Sequence, residues 1–326
     1  MLRNTIKELS TTILNNQSNF ETIKNAIDDI QKHYLEATNL DEFKDGMQHN
    51  AAVPTASGMA LSMNHAAACL LDYNRTAKFL NGMVALIREK QQQYPNETIN
   101  IFYAGCGPYA PFITLVAPLF DATEVQFSLL EINATSIKMA ENLIKAMNLT
   151  DYITEYHNTD AVTFQIPDAK KYHILFSETL DALLYRESYV SILWNMLPQL
   201  SENCTVIPQN VIVQANLTFP QKQDEDTRRE KEAAVILDVR NAVAVSDGNT
   251  TLPETFEPVS VDLGGEKRYY TMIVDTKVHI YKDIWLHRNE SSLSIPLEME
   301  IVYPLEAPTV TFMYKLKPSV ELTLKN

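Results

Sequence analysis

Two glutamates, Glu178 and Glu187, stand nine residues apart behind the apolar run Ile174-Leu175-Phe176-Ser177. The stretch reads as a strand that ends in Ser-Glu, with the second acid at the start of the next helix. In open α/β sheets ligands sit at strand ends and in the loops beyond them. Two carboxylates converging there could hold a cation, and a guanidinium could give them a paired fork of N–H bonds. Glu187 alone also reads as an ordinary acid at a helix N-terminus. Glu178 is harder to read that way, because only Ser177 separates it from the strand, and a carboxylate buried without a partner is costly.

A second constellation lies upstream. The apolar run Ile101 to Ala104 is followed by Gly105-Cys106-Gly107 and then by helical spacing at Phe112, Leu115, Val116 and Leu119. The chain has eight glycines, and two of them sit in this turn. Glycine lets backbone approach a ligand closely, and a helix opening behind it presents free N–H groups. About twenty-five residues on, the apolar run from Val125 ends in Glu131. An acid at the tip of the second strand is placed to accept both ribose hydroxyls of a nucleoside cofactor. Any α/β protein can carry a glycine turn and an acid at a strand end, so this pair alone is a moderate signal.

The elements that must position these residues follow from periodicity. Residues 2–37 predict two helices, with Ile6, Leu9, Ile13 and Leu14 on the first and Ile23, Ile27, Ile30 and Tyr34 on the second. Residues 39–58 read as a loop or lid, and an alanine-rich stretch from Ala60 leads into a helix running to about Gln93. Strands are expected near 100–104, 125–130, 152–156, 172–176 and 204–215, and helices near 110–119, 134–147 and 187–199. This alternation predicts a parallel sheet. Pro208 marks an edge, a bulge or a break into two strands. The charged stretch 221–234 reads as a solvated helix or arm. From Glu257 onward, runs at 259–263, 269–281, 293–303, 309–316 and 320–324 predict an antiparallel sheet or partial barrel. The expected organisation is 1–95 as a helical segment with a cofactor lid, 96–215 as a Rossmann-like α/β cofactor-binding domain, and 216–326 as a β-rich substrate or dimerisation domain.

Composition narrows the partners. With 27 basic and 41 acidic residues the chain carries a formal charge of −14. Such a field repels nucleic acid and anionic membranes and attracts cations. Cys69, Cys106 and Cys204 are far apart and show no metal spacing, so no metal is expected and a reducing cytoplasmic setting is. His65, His157 and His173 likewise lack ligand spacing. Neither a secretory signal nor a membrane-length apolar run is visible.

The order of motifs resembles the protein arginine methyltransferases, which are class I S-adenosylmethionine-dependent enzymes. The matching pieces are Asp72-Tyr73-Asn74-Arg75-Thr76, Ala104-Gly105-Cys106-Gly107, Leu129-Leu130-Glu131 and Ser177-Glu178 through Glu187, followed by Val206-Ile207-Pro208. The resemblance implies S-adenosyl-L-methionine as cofactor. Arg75 would pair with its carboxylate, Gly105, Cys106 and Gly107 would line it, Glu131 would take the ribose hydroxyls, and Asp160 would contact the adenine. Glu178 and Glu187 would bind the substrate cation, a guanidine or amine on a small molecule or peptide, for N-methylation. A homodimer is also implied. Tyr103 stands where that family has an acid, Tyr109 where it has a third glycine, and Asp283-Ile284-Trp285-Leu286-His287 is the candidate substitute for its Thr-His-Trp loop.

The same residues admit other readings. Arg75 could pair only with Asp72 at helical spacing. Tyr73, Tyr103, Tyr109 and Tyr185 could wall a cation or simply pack. Gly105-Cys106-Gly107-Pro108 also resembles the turn of nicotianamine synthases, which transfer the aminocarboxypropyl arm of the same cofactor. A non-catalytic cofactor-binding or scaffold protein is a further alternative. An O-methyltransferase would want a base or metal beside a hydroxyl, and no such cluster is visible.

Overall fold

The computed structural model describes residues 1–40, 46–219, 229–244, 251–264 and 269–325. Helices α1 (Leu2–Asn15) and α2 (Phe20–Thr38) follow the apolar spacing, burying Ile6 and Ile13 on one and Ile23, Ile27, Ile30 and Tyr34 on the other. The Asn19 side chain caps α2 by accepting the Thr22 N–H at 3.1 Å. The segment read as one loop at 39–58 contains more structure than that, although 41–45 lie outside the described residues. It holds α3 (Met47–Asn50) and β1 (Val53–Thr55), which pairs antiparallel with β2 (Gly58–Ala60). Strands of three residues carry too little periodicity to be read from sequence. Helices α4 (Met63–Ala68) and α5 (Tyr73–Gln93) follow, the second capped by Asp72.

The parallel sheet contains β3 (Ile99–Ala104), β4 (Val125–Glu131), β5 (Ile153–Asn158), β6 (Ile174–Ser177) and β7 (Thr205–Ile207), in the order β5-β4-β3-β6-β7. Nearly every residue of β3, β4 and β6 is buried, as expected where helices cover both faces. The helix expected at 110–119 is broken into α6 (Pro111–Thr114) and a 3-10 turn at Ala117–Leu119. Pro118 has no N–H to continue an α-helical ladder. Helix α7 (Ala134–Ala146) joins β4 to β5, and α8 (Tyr189–Met196) joins β6 to β7.

Pro208 separates β7 from β8 (Asn210–Thr218), and the two strands belong to different sheets. Strand β8 therefore continues through residue 216 as part of the antiparallel region. Strand β9 (Glu230–Asp238) pairs with β8 along its length, which overturns the solvated helix or arm for that part; residues 221–228 lie outside the described residues. The edge of β8 supplies partners that local charge pattern cannot reveal, and tertiary pairing overrides propensity. Helix α9 (Val239–Ala244) and β10 (Val259–Asp262) follow. Strands β11 (Thr271–Tyr281), β12 (Ile284–Leu286) and β13 (Leu297–Glu300) complete a five-stranded sheet with β8 and β9. The run expected at 293–303 is interrupted, with a 3-10 turn at Ser292–Ser294 before Pro296. Strand β10 forms a separate three-stranded sheet with β14 (Thr309–Lys315) and β15 (Glu321–Lys325). The β-rich half is thus two antiparallel sheets rather than one wall.

No described helix is long and apolar enough to cross a membrane.

Candidate functional site

The strand order reverses between β3 and β6: β4 and β5 lie to one side of β3, while β6 and β7 lie to the other. Loops leaving adjacent strands there diverge and open a crevice at the carboxyl ends. Gly105 follows β3 and Glu178 follows β6, so this topology brings the glycine turn and the acidic loop face to face. A Cβ on Gly105 would lie 2.1 Å from Cγ2 of Thr179. Gly105 and Gly107 have φ of +77° and +63°, a region costly for residues with a side chain. A cleft opens here, and Arg75, Gly105, Cys106, Gly107, Glu131, Asp160, Glu178 and Glu187 all line it. Tyr103 and Phe112 line it too, and behind them both rings meet Phe176, at centroid distances of 4.9 and 4.6 Å.

Glu131 is held by backbone. One oxygen accepts the Gly107 N–H at 2.8 Å and the other the Asn133 N–H at 2.9 Å. Burial pushes its pKa up, and the Asn133, Gly107 and Ile132 amides oppose that rise. A carboxylate has about four lone-pair sites, so lone pairs remain for a vicinal diol. Asp160 accepts the Val162 N–H at 2.9 Å and the Ala56 N–H at 2.7 Å. It thereby fastens the β1–β2 hairpin over the cleft.

This hairpin falls within the stretch read as a loop or lid and runs past it to Ala60, and its strand pairing is what the sequence does not show. Thr55, Met59 and Ala60 line the cleft. Thr55 and Ser188 share a hydroxyl contact of 2.6 Å, the Met59 N–H donates to the Arg186 carbonyl at 3.0 Å, and the Val320 N–H donates to the Ser57 carbonyl at 3.1 Å. A Cβ on Gly58 would come within 2.8 Å of the Arg186 carbonyl oxygen and of Ser188 Oγ. Gly58 is therefore the one sequence signal that could have marked a close backbone approach.

Arg75 does not turn to Asp72 with its side chain. Asp72 takes only the Arg75 backbone N–H, at 3.4 Å, and its second oxygen accepts Ser291 Oγ, Ser292 N–H and Ser292 Oγ at 2.7, 2.8 and 2.7 Å. The Arg75 guanidinium instead forms a buried ion pair with Glu178 through Nε. Burial works against the Arg75 charge, but Glu178, Cys69 and Glu187 outweigh it and its pKa is raised. Burial lifts the Glu178 carboxyl more than Arg75 lowers it. Glu187 is 7 % exposed, and burial, followed by the nearby Asp181 charge, pushes its pKa up to about 8.

The acidic loop is sharply bent. Leu183 and Leu184 have φ of 63° and 53°, a backbone choice costing on the order of 1–3 kcal/mol each. The β-rich half holds it there: the Leu183 N–H donates to Thr276 Oγ1 at 2.7 Å, and Tyr314 OH donates to the Leu184 carbonyl at 2.6 Å.

Of the four tyrosines, only Tyr103 lines the cleft. Tyr73 OH donates to Asp28 at 2.8 Å, Tyr109 packs on Tyr34 at 5.3 Å, and Tyr185 is exposed beneath the Arg186 guanidinium. Trp285 lies on β12, stacked on His279 at 4.0 Å, and neither Trp285 nor His287 lines the cleft. Among the described residues no group of His, Cys, Asp and Glu could hold a metal ion, and all three cysteines are free thiols.

No family model and no curated protein matches this chain. Among solved structures, it is similar to a chain of the Trypanosoma brucei PRMT1 enzyme-prozyme heterotetrameric complex with AdoHcy, at 13% sequence identity and a TM-score of 0.46. The likeness covers 76% of this chain and 86% of that one.

Proposed function

We propose that the chain is an S-adenosylmethionine-dependent N-methyltransferase acting on a guanidine or amine nitrogen of a small molecule or peptide. The observation that carries this reading is the meeting of two carboxylates with little solvent exposure, Glu178 and Glu187, with Arg75 and Glu131 in one cleft at the strand-order reversal. The donor set suits the cofactor. Glu131 is a fixed acceptor for a diol, the left-handed glycines leave backbone room beside it, and Arg75 offers N–H groups to a carboxylate. The cofactor supplies a methyl group on a sulfonium.

The chain's own residues position and deprotonate. Glu178 and Glu187 hold the cation so that one nitrogen faces the methyl donor, and such positioning is the main source of acceleration. The alkylated nitrogen must lose a proton as the new N–C bond forms. Glu187, with a proton affinity near neutral pH, is suited to take it.

The test is calorimetric titration with S-adenosylmethionine and S-adenosylhomocysteine, on the wild type and on Glu131→Ala. Micromolar binding that the substitution weakens at least tenfold supports the reading; no binding of either ligand overturns it. With a panel of guanidines and amines, S-adenosylhomocysteine as product means methyl transfer, whereas methylthioadenosine means transfer of the aminocarboxypropyl arm.

A further inference from the structure

We propose that Asp181 is a positioning residue for Glu187: a third carboxylate, set behind the cleft, that closes the 178–187 loop and sets its negative charge beside Glu187. This rests on the methyltransferase reading for its substrate, though not for its electrostatics. Asp181 does not line the cleft. Its Oδ1 faces the N–H groups of both Arg186 and Glu187, at 3.4 Å each, and its backbone carbonyl accepts the Leu184 N–H at 3.1 Å. The residue therefore reaches across the bend at Leu183 and Leu184 to the peptide that carries Glu187. Its Oδ2 is buried without a hydrogen bond among the described residues, with Arg186 Nε 3.7 Å away.

The charges around Glu187 come from several elements. Arg75 projects from α5 and is paired through Nε with Glu178, which lines the same cleft as Glu187. Cys69, from the turn after α4, is a neutral thiol because burial raises its pKa. Arg186 is 65% exposed, so water screens its opposing charge. Tyr314, from β14, is neutral and lies on the Asp181 side. Glu187 therefore faces more negative than positive charge, and burial leaves it little water to compensate. A guanidinium or ammonium entering the cleft supplies the missing positive charge. Glu187 then ionises and releases its proton to solvent. During alkylation the same carboxylate takes the proton that the nitrogen loses, so charge and protons balance over the cycle.

The experiment is a 13C NMR pH titration of the full chain labelled at the glutamate carboxyl carbons, with the Glu187 resonance assigned by its absence in Glu187→Gln. Asp181→Asn keeps an oxygen acceptor and removes the charge. The Glu187 midpoint should fall by about 1 pH unit or more in this variant. Asp181→Ser also removes the charge and keeps an oxygen, and should move the midpoint in the same direction, which keeps the test decisive if Asp181→Asn does not fold. Agmatine added to the wild type should lower the midpoint. A Glu187 midpoint that is the same in wild type and Asp181→Asn, or in Asp181→Ser when only that variant folds, overturns the proposal, whatever happens to stability. Because the titration needs no cofactor, a shift seen in a protein that fails to bind S-adenosylmethionine would refute the methyltransferase reading alone.

Discussion

Replacing Glu178 by Gln should destabilise the protein while tightening its hold on a carboxylate-bearing nucleoside. Arg75 is 5 % exposed and its guanidinium is paired with Glu178. Deleting one partner of a buried ion pair costs about 3–5 kcal/mol, because the other charge is left uncompensated. Gln keeps an oxygen for the Arg75 Nε–H, so a hydrogen bond from the charged guanidinium, about 1.5–3 kcal/mol, survives while the charge pairing is lost. A loss of about 2 kcal/mol in the ligand-free protein is expected, visible as a melting temperature a few degrees lower. The same substitution removes a negative charge from beside Arg75. A ligand carboxylate seeking that arginine then meets less competition, and S-adenosylhomocysteine should bind about 10–100-fold more tightly, or about 1.4–2.7 kcal/mol. Methylthioadenosine has the nucleoside without the carboxylate and should be unaffected. Thermal melts and calorimetric titration of both ligands check this, alongside loss of turnover. Equal changes for the two ligands, or an unchanged melting temperature, would refute the reasoning.

Glu187→Gln should change how stability depends on pH. The folded pKa of Glu187 is raised from 4.5 to about 8, so its stabilising contribution is complete below the lower value and lost as pH rises through the upper one. At about 1.4 kcal/mol per pKa unit, the wild type should lose up to roughly 5 kcal/mol relative to the Gln variant between those limits, and urea titrations across pH 4–9 would show it. A stability difference that is flat with pH would sink the assignment. Gly105→Ala should lose about 1–3 kcal/mol, because φ is +77° and the new Cβ meets Thr179 Cγ2 at 2.1 Å. Thr179→Ser removes that methyl, so the double variant should recover the steric part and keep only the backbone cost, as a double-mutant cycle would read.

Much of the site was legible because its residues sit at places that local pattern defines. Glu131 and Glu178 follow strands buried on both faces, which read as continuous apolar runs, and strand direction then puts each acid at a carboxyl end. Gly105 and Gly107 stand out because the chain uses glycine so sparingly. The β1–β2 hairpin was not legible, since three-residue strands have no period to detect, and neither were the breaks that Pro118 and Pro296 impose on longer apolar runs. Charged residues 230–232 looked like a solvated arm because pairing with β8 leaves no trace in their own pattern.

By itself, then, the sequence determined the alternation of strands and helices from Ile99 to Ile207, the glycine turn and the acids at the strand tips. These are consequences of side-chain period and backbone φ, which neighbouring residues largely decide. Only the tertiary structure decided that β3 lies beside β6, that Arg75 meets Glu178 although 103 residues separate them, and that Asp181 stands behind Glu187. Those juxtapositions depend on the order of strands and on a loop bent by contacts from β11 and β14. A local pattern tells which way a side chain faces; the packing of distant segments tells what it meets.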